Sequence, residues 1–342
     1  MRPGITSPPR DILAPLPVTA RAGTCMATDP RGTSRWIYWF FPADALDDCE
    51  FWRYDRWMDA WQQLDWGTAV TAIVGAGGAG VPGIGCAMVV DASSQVIGAN
   101  NADVWLTIPD TIAPWMQILY YDAGANTWFL TAQGGGAFTA VAQMAARLAA
   151  SWAGDCRICH TSSALSADAD NGLIVISGNN GPYTYRYDIG TDTVTCVIGE
   201  NRAGNTGPGL TLDWDPASAN YIISCRATAG GSLVVDRLNI ATATWAVIAN
   251  VLPGSDLWTT GTDSCVDIHN RNFLMHLSGS GRIRSGNYAG AALTITNAGQ
   301  MYGTNGTPHV GNCMAWGIEG SRRYIYLRRH TSTEFQRITL VE

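Results

Sequence analysis

Apolar residues along this chain gather in short, strand-sized runs such as 36–42 and 173–176, not at helical spacing. One phrase recurs. Phe51-Trp-Arg-Tyr-Asp55, Ile118-Leu-Tyr-Tyr-Asp122, Tyr185-Arg-Tyr-Asp188 and Val234-Val-Asp-Arg-Leu238 are each followed by a short turn-forming stretch. Trp61, Trp128, Val194 and Trp245 then stand seven places after Tyr54, Tyr121, Tyr187 and Leu238. That interval predicts strand, turn, strand, with turn-formers such as Gly124, Asn126, Gly190 and Asp192 allowing a short hairpin loop. A fifth, degraded copy is expected to end at Leu293.

A second apolar phrase precedes each copy, starting at Trp36, Val104, Leu173, Tyr221, Phe273 and Tyr324. Before that lies a stretch of small apolar residues closing in a polar turn, as from Cys25 to Asp29 or Cys86 to Asp91. Six repeats of a four-stranded antiparallel meander predict an all-β, six-bladed propeller, because a sheet apolar on both faces must stack on neighbours. The expected blades are 22–66, 83–132, 161–199, 207–250, 262–297 and 310–342, with insertions near 65–82, 91–102 and 133–160. The last unit lacks its fourth strand. Residues Ile12–Val18 are expected to supply it and close the ring, leaving 1–10 as a Pro-rich arm; the two prolines suit an outermost edge strand.

The strand-three Tyr-Asp, the turn residues and the Trp opening strand four resemble the kelch-type propeller family over most of the chain. The diglycine that ends strand two in that family is only approximated, by Gly178-Asn179-Asn180-Gly181 and Gly230-Gly231. The resemblance implies a propeller fold. It leaves function open, since such repeats serve oxidases, lectin-like modules, adaptors and viral structural proteins.

Composition narrows the partners. All 21 basic residues are Arg, the net charge is -7, and only 14% of residues are charged, so a polybasic nucleic-acid or anionic-membrane surface is not expected. No apolar run approaches the roughly 18–20 residues of a membrane helix, no secretory signal is visible, and cytoplasmic synthesis is the expectation. An alanine-rich segment with Val141, Met144, Ala145, Leu148 and Trp152 predicts one short amphipathic helix.

Chemistry-bearing motifs are few. Cys156-Arg-Ile-Cys159-His160 matches the c-type haem attachment pattern, but it leads directly into an innermost strand with no second axial ligand in view. Haem is disfavoured, and a Cys156–Cys159 disulfide is the better functional reading. Cys25, Cys86, Cys265 and Cys313 occupy matching places in innermost strands, where only small residues fit. Asp168-Ala-Asp170-Asn171-Gly172 is out of register for a calcium loop, and no metal site is expected. Gly75–Gly80 has the composition of a nucleotide-binding fingerprint but no βαβ context, and is expected to be a linker loop. The acidic loop residues Asp47, Asp48 and Glu50, which could hold a sugar or a calcium ion or simply form a solvated loop, and the loop aromatic Trp115, a platform for stacking on a sugar or for a protein contact, form the candidate binding set.

With no recognisable catalytic set, the expectation is a non-enzymatic structural or recognition propeller. Its Lys-free, Gly- and Thr-rich composition resembles components of tailed-phage particles such as nozzle, fibre or surface-decoration proteins. On that reading its partners are other virion proteins or copies of itself. A carbohydrate-binding, lectin-like propeller and a sugar-acting enzyme are the alternatives.

Overall fold

The run Trp36–Phe41 is almost entirely buried, which a strand achieves only when both of its faces are covered. In a computed structural model, Ile37, Trp39 and Phe41 enter one core and Tyr38 and Phe40 another, on opposite sides of the same sheet. The structure describes residues 10–131 with short breaks, the largest at 110–115, and from 157 onward mainly the strands, together with 313–328 and 333–340.

Six four-stranded antiparallel sheets result. The first contains β2 (Cys25–Thr28), β3 (Trp36–Phe41), β4 (Glu50–Asp55) and β5 (Ala60–Leu64). The second contains β6 (Ala87–Ile97), β7 (Asn100–Pro109), β8 (Met116–Asp122) and β9 (Thr127–Leu130). The third runs from β10 (Arg157–Thr161) through β11 (Leu173–Ser177) and β12 (Thr184–Asp188) to β13 (Thr193–Cys196). The fourth holds β14 (Asp213–Asp215), β15 (Tyr221–Ala227), β16 (Leu233–Asn239) and β17 (Thr244–Val251). The fifth holds β18 (Asp263–Asp267), β19 (Asn272–Leu277), β20 (Arg282–Asn287) and β21 (Thr294–Gln300). The sixth joins β22 (Cys313–Glu319), β23 (Arg322–Arg328) and β24 (Phe335–Leu340) to β1 (Arg10–Ile12). The first strands β2, β6, β10, β14, β18 and β22 touch one another in that order, and β22 returns to β2. This is a six-bladed β-propeller.

The recurrent phrase has a structural cause. Its seven-residue interval places Tyr54 opposite Trp61, Tyr121 opposite Trp128, Tyr187 opposite Val194 and Leu238 opposite Trp245, each as a cross-strand pair beside a four-residue turn. Asp122 and Asp55 each accept backbone N–H groups inside their own turns, from Ala125 at 2.9 Å and from Trp57 at 3.0 Å. The turns end in a left-handed residue, Asn126 at φ 51° and Asp59 at φ 48°, a conformation Asn and Asp tolerate best after glycine. In the fifth blade the hairpin is two residues longer than expected. Asn287 pairs with Thr294, so Ile295 and not Leu293 takes the Trp position.

Ring closure differs from the expected strand Ile12–Val18. The closing strand β1 pairs Arg10 with Ile338, Asp11 with Arg337 and Ile12 with Gln336. Pro15 and Pro17 have no N–H to extend that ladder, so only isolated bonds follow, from Leu13 N–H to the Phe335 carbonyl and from Leu16 N–H to that of Thr333. Arg10 therefore belongs to the propeller and not to the arm. Two of the expected insertions also hold regular structure. Residues 91–102 lengthen the β6–β7 hairpin, and 157–160, placed in the 133–160 insertion, form most of β10.

A helix that the apolar pattern does not announce, α1 (Gly67–Gly75), follows β5, with Ala69 and Ile73 buried against the core shared by blades one and two. Its C-terminus closes through Gly77 at φ 80° and a Gly78 N–H bond to the Ile73 carbonyl, so the glycines expected to form a linker in part terminate a helix. The helix expected at 141–152 and the turn at 168–172 lie outside the described residues. No helix among the described residues is long and apolar enough to cross a membrane.

Asp122 titrates below its ordinary range because the Asn101 N–H holds its charged form, with Ala125 and Gly124 adding to this against a burial cost. Asp55 is depressed likewise, first by Arg35, then by the Trp57 and Met58 amides, again against burial. A carboxyl that is more acidic folded than unfolded contributes its stabilisation in full above the unfolded value of about 4 and loses it as pH falls through the folded one. Denaturant midpoints should therefore drop below about pH 4. Asp122→Asn, which keeps the turn acceptor, should flatten that acid limb.

Candidate functional site

Between β4 and β5 the first blade departs from its repeat. The second blade turns through Ala123-Gly124-Ala125, whereas the first uses Arg56-Trp57-Met58. Asp55 fixes this turn with its two amide bonds and with a bidentate ion pair from Arg35, whose Nε lies 2.8 Å from Oδ1. The three side chains then separate. Arg56 turns inward to 5% exposure, while Trp57 and Met58 stand out at 67% and 68%. Arg35 sits 5.2 Å from the Trp57 ring centroid and steadies it by cation–π attraction.

Beneath Trp57 is a cavity of about 590 Å³, walled by Asp11, Ile12 and Leu13 of the closing segment, Tyr54, Arg56 and Asp59 of blade one, and Glu319, Gly320 and Arg337 of blade six. Three distant stretches of chain thus meet at the seam. Arg337 binds Asp11 through Nη2 and Glu319 through Nη1, each at 2.8 Å, with its guanidinium 4.5 Å from the centroid of Tyr324. Burial works against its charge, but Asp11, Glu319 and Tyr326 outweigh that and raise its pKa. The Tyr326 hydroxyl donates to the other Glu319 oxygen at 2.5 Å. Burial drives the phenols of Tyr326 and Tyr54 upward, and the adjoining carboxylates Glu319 and Asp59 add to this. Both therefore stay protonated donors.

Asp59 joins the blades. It accepts the Tyr54 hydroxyl at 2.6 Å and the Ala14 N–H at 2.8 Å, and Trp61 Nε1–H donates to the Ala14 carbonyl at 3.1 Å. Arg56 donates through Nη2 to the carbonyls of Gly32 and Ser34, while its Nε and Nη1 have no hydrogen-bond partner among the described residues. Gly317 of β22 is required by this arrangement, because a Cβ there would collide with the Arg56 guanidinium and lie 3.0 Å from the Tyr326 ring.

The residues expected from sequence lie elsewhere. Asp47 and Asp48 are exposed in the loop before β4. Glu50 opens that strand and accepts from Trp52 Nε1 at 2.8 Å and from Gln63 Nε2 at 3.2 Å, so its carboxylate is held by its own blade. Trp115 and Cys156 lie outside the described residues. Cys159 and His160 are consecutive residues of β10, opposite Val175 and Ile174. Cys25, Cys49, Cys86 and Cys265 are buried and form no disulfide, and Cys25 Sγ donates to the Cys86 carbonyl at 3.1 Å between the first two innermost strands. Among the described residues, no three His, Cys, Asp or Glu side chains converge as a metal site. The seam residues themselves escape sequence reasoning because 11, 59 and 319 meet only on ring closure. The one local sign is the bulky Arg56-Trp57-Met58 where the second blade has Ala123-Gly124-Ala125.

No protein-family model matches the sequence, and no curated protein matches it either. Solved structures match the fold. A triple arginine mutant of AofleA from Arthrobotrys oligospora aligns over 100% of this chain and 93% of its own, at 14% identity and TM-score 0.57. The Aleuria aurantia lectin, a six-bladed β-propeller with a described mode of fucose recognition, aligns over 94% and 92%, at 11% identity and TM-score 0.57. A luciferin-regenerating enzyme aligns over 97% and 95%, at 8% identity and TM-score 0.55. Lectins and an enzyme share this scaffold, so the fold is shown and the activity is decided by the site.

Gly317→Ala should cost about 1–3 kcal/mol in denaturant unfolding, as overpacking does. Arg56→Ala in the same chain should remove most of that cost, giving a coupling above about 0.5 kcal/mol in the double-mutant cycle.

Proposed function

We propose that this protein is a non-enzymatic recognition propeller that binds carbohydrate at its closing seam. The carrying observation is Trp57, an exposed and electrostatically steadied ring standing over a cavity lined by carboxylates and guanidiniums. A sugar offers an apolar C–H face to such a ring and a hydroxyl edge to such polar groups. The acids there serve for holding: Asp11 and Glu319 bind Arg337, and Asp59 is bonded to Tyr54 and Ala14. Lectins among the structural neighbours support the same reading. A second contact at the exposed Asp47 and Asp48, with Trp115, belongs to this proposal.

A further reading concerns location. Ile12 on the edge strand β1 is 79% exposed, directly after a Pro-rich segment, which suits attachment to other subunits of a kelch-like virion protein. Native mass spectrometry of the purified chain should then show a defined oligomer that is lost when residues 1–9 are deleted; a monomer in both cases counts against it.

Trp57→Ala should abolish glycan binding in array and calorimetric assays while shifting stability by less than about 0.5 kcal/mol, as expected at an exposed position. Trp115→Ala in the same titration reports on the second contact. Unchanged binding in Trp57→Ala would remove the seam as the site.

A further inference from the structure

The seam pocket holds two arginines in unlike circumstances. Among the described residues Arg337 has two carboxylates, while Arg56 has none, and the Arg56 Nε and Nη1 are buried without a hydrogen-bond partner. Arginine side chains in general do not escape the cost of burial by losing their charge. Two backbone carbonyls, from Gly32 and Ser34, and the Tyr326 ring 5.7 Å away supply only partial negative charge. An uncompensated buried cation is among the costliest groups a fold can carry.

The acids that line the pocket do not fill this need. Asp11 is bound by Arg337 through both Nε and Nη2, Glu319 is divided between Arg337 and Tyr326, and Asp59 accepts from Tyr54 and Ala14. Among the described residues no acid supplies this charge, and Arg56 lines the pocket, so a ligand bound there is placed to supply it. Resting on the carbohydrate reading of this seam, we infer that its ligand is an acidic sugar, stacked on Trp57 with its negative group directed to Arg56. The three acids on the rim add selectivity, since they disfavour any anion that does not reach the unpaired guanidinium.

The test compares neutral sugars with their charged counterparts on the full chain. Calorimetry would use glucose against glucuronate, galactose against galacturonate and galactose 6-sulfate, with N-acetylneuraminate as a further arm. The expected result is at least a tenfold preference for one charged sugar over its neutral parent, weakening with salt. That preference should disappear in Arg56→Gln, and all binding in Trp57→Ala. The uronate, sialate and sulfate arms identify which acidic group is taken. A neutral parent that binds as well as its acid, still dependent on Trp57, would overturn the charge inference and leave the glycan site standing. Absence of binding by every sugar, or binding indifferent to Trp57, would overturn both. Should Arg56→Gln fail to fold, the neutral-to-acidic comparison and its salt dependence on the unaltered chain decide the matter.

Discussion

The junction of blades one and two and the closing junction depend on one clasp, formed where a hairpin turn of one blade grips the segment leaving the outermost strand of the blade before it. At the junction of blades one and two, Asn126 accepts the Tyr121 hydroxyl and the Asp65 N–H, and Trp128 Nε1–H donates to the Asp65 carbonyl. At the closing junction Asp59, Tyr54, Trp61 and Ala14 repeat the same four roles. The aromatic packing repeats as well. Phe51 of blade one lies 4.9 Å and 4.8 Å from Tyr121 and Trp128, and Phe335 of blade six lies 5.0 Å and 5.6 Å from Tyr54 and Trp61. Edge-to-face and tilted aromatic pairs contribute about 0.5–1.5 kcal/mol each beyond their burial, so the clasp unites direction with adhesion.

The same clasp explains how so short a strand can close the ring. β1 contributes only three ladder pairs, which alone would hold an edge segment weakly. The chain beyond it adds Leu13 and Leu16 to the core formed by Trp39, Tyr54, Tyr326 and Phe335, while Ala14 is held by Asp59 and Trp61. Closure is thus divided between sheet pairing to blade six and the clasp from blade one. Asp11 adds the Arg337 ion pair, which ties the segment to the sixth blade from the solvent side.

The architecture was legible because the clasp imposes a fixed interval. Tyr and Trp must face each other across a four-residue turn, and that requirement prints Tyr-Asp and Trp seven residues apart wherever it applies. Where it lapses, the reading slips: in blade five Gly286 and Ile295 fill the two positions and the turn lengthens by two residues. The helix α1 stayed hidden because only Ala69 and Ile73 are buried on it, too few to write a period into nine residues. The candidate site was hidden for a different reason. Asp47, Asp48 and Glu50 are clustered in sequence and drew notice, whereas Asp11, Asp59 and Glu319 become neighbours only through the ring.

The location of the pocket follows from what covers each seam. After β5 the chain continues as α1, whose Thr68 Oγ1 accepts the Trp128 N–H and whose buried face lies on the junction of blades one and two. After β1 the chain passes straight into blade one, and among the described residues nothing comparable lies over the closing junction. The turn there is correspondingly free to carry large side chains, and it does: Arg56 fills the gap beside Gly317, and Trp57 projects over the opening. The mechanical role of Asp55 and Asp59 at the two ends of the turn leaves the three residues between them under no structural demand to be bulky. Their bulk, one cation buried without an acid among the described residues and one aromatic ring held in solvent, is costly for the fold by itself and is what the proposed ligand contact would use.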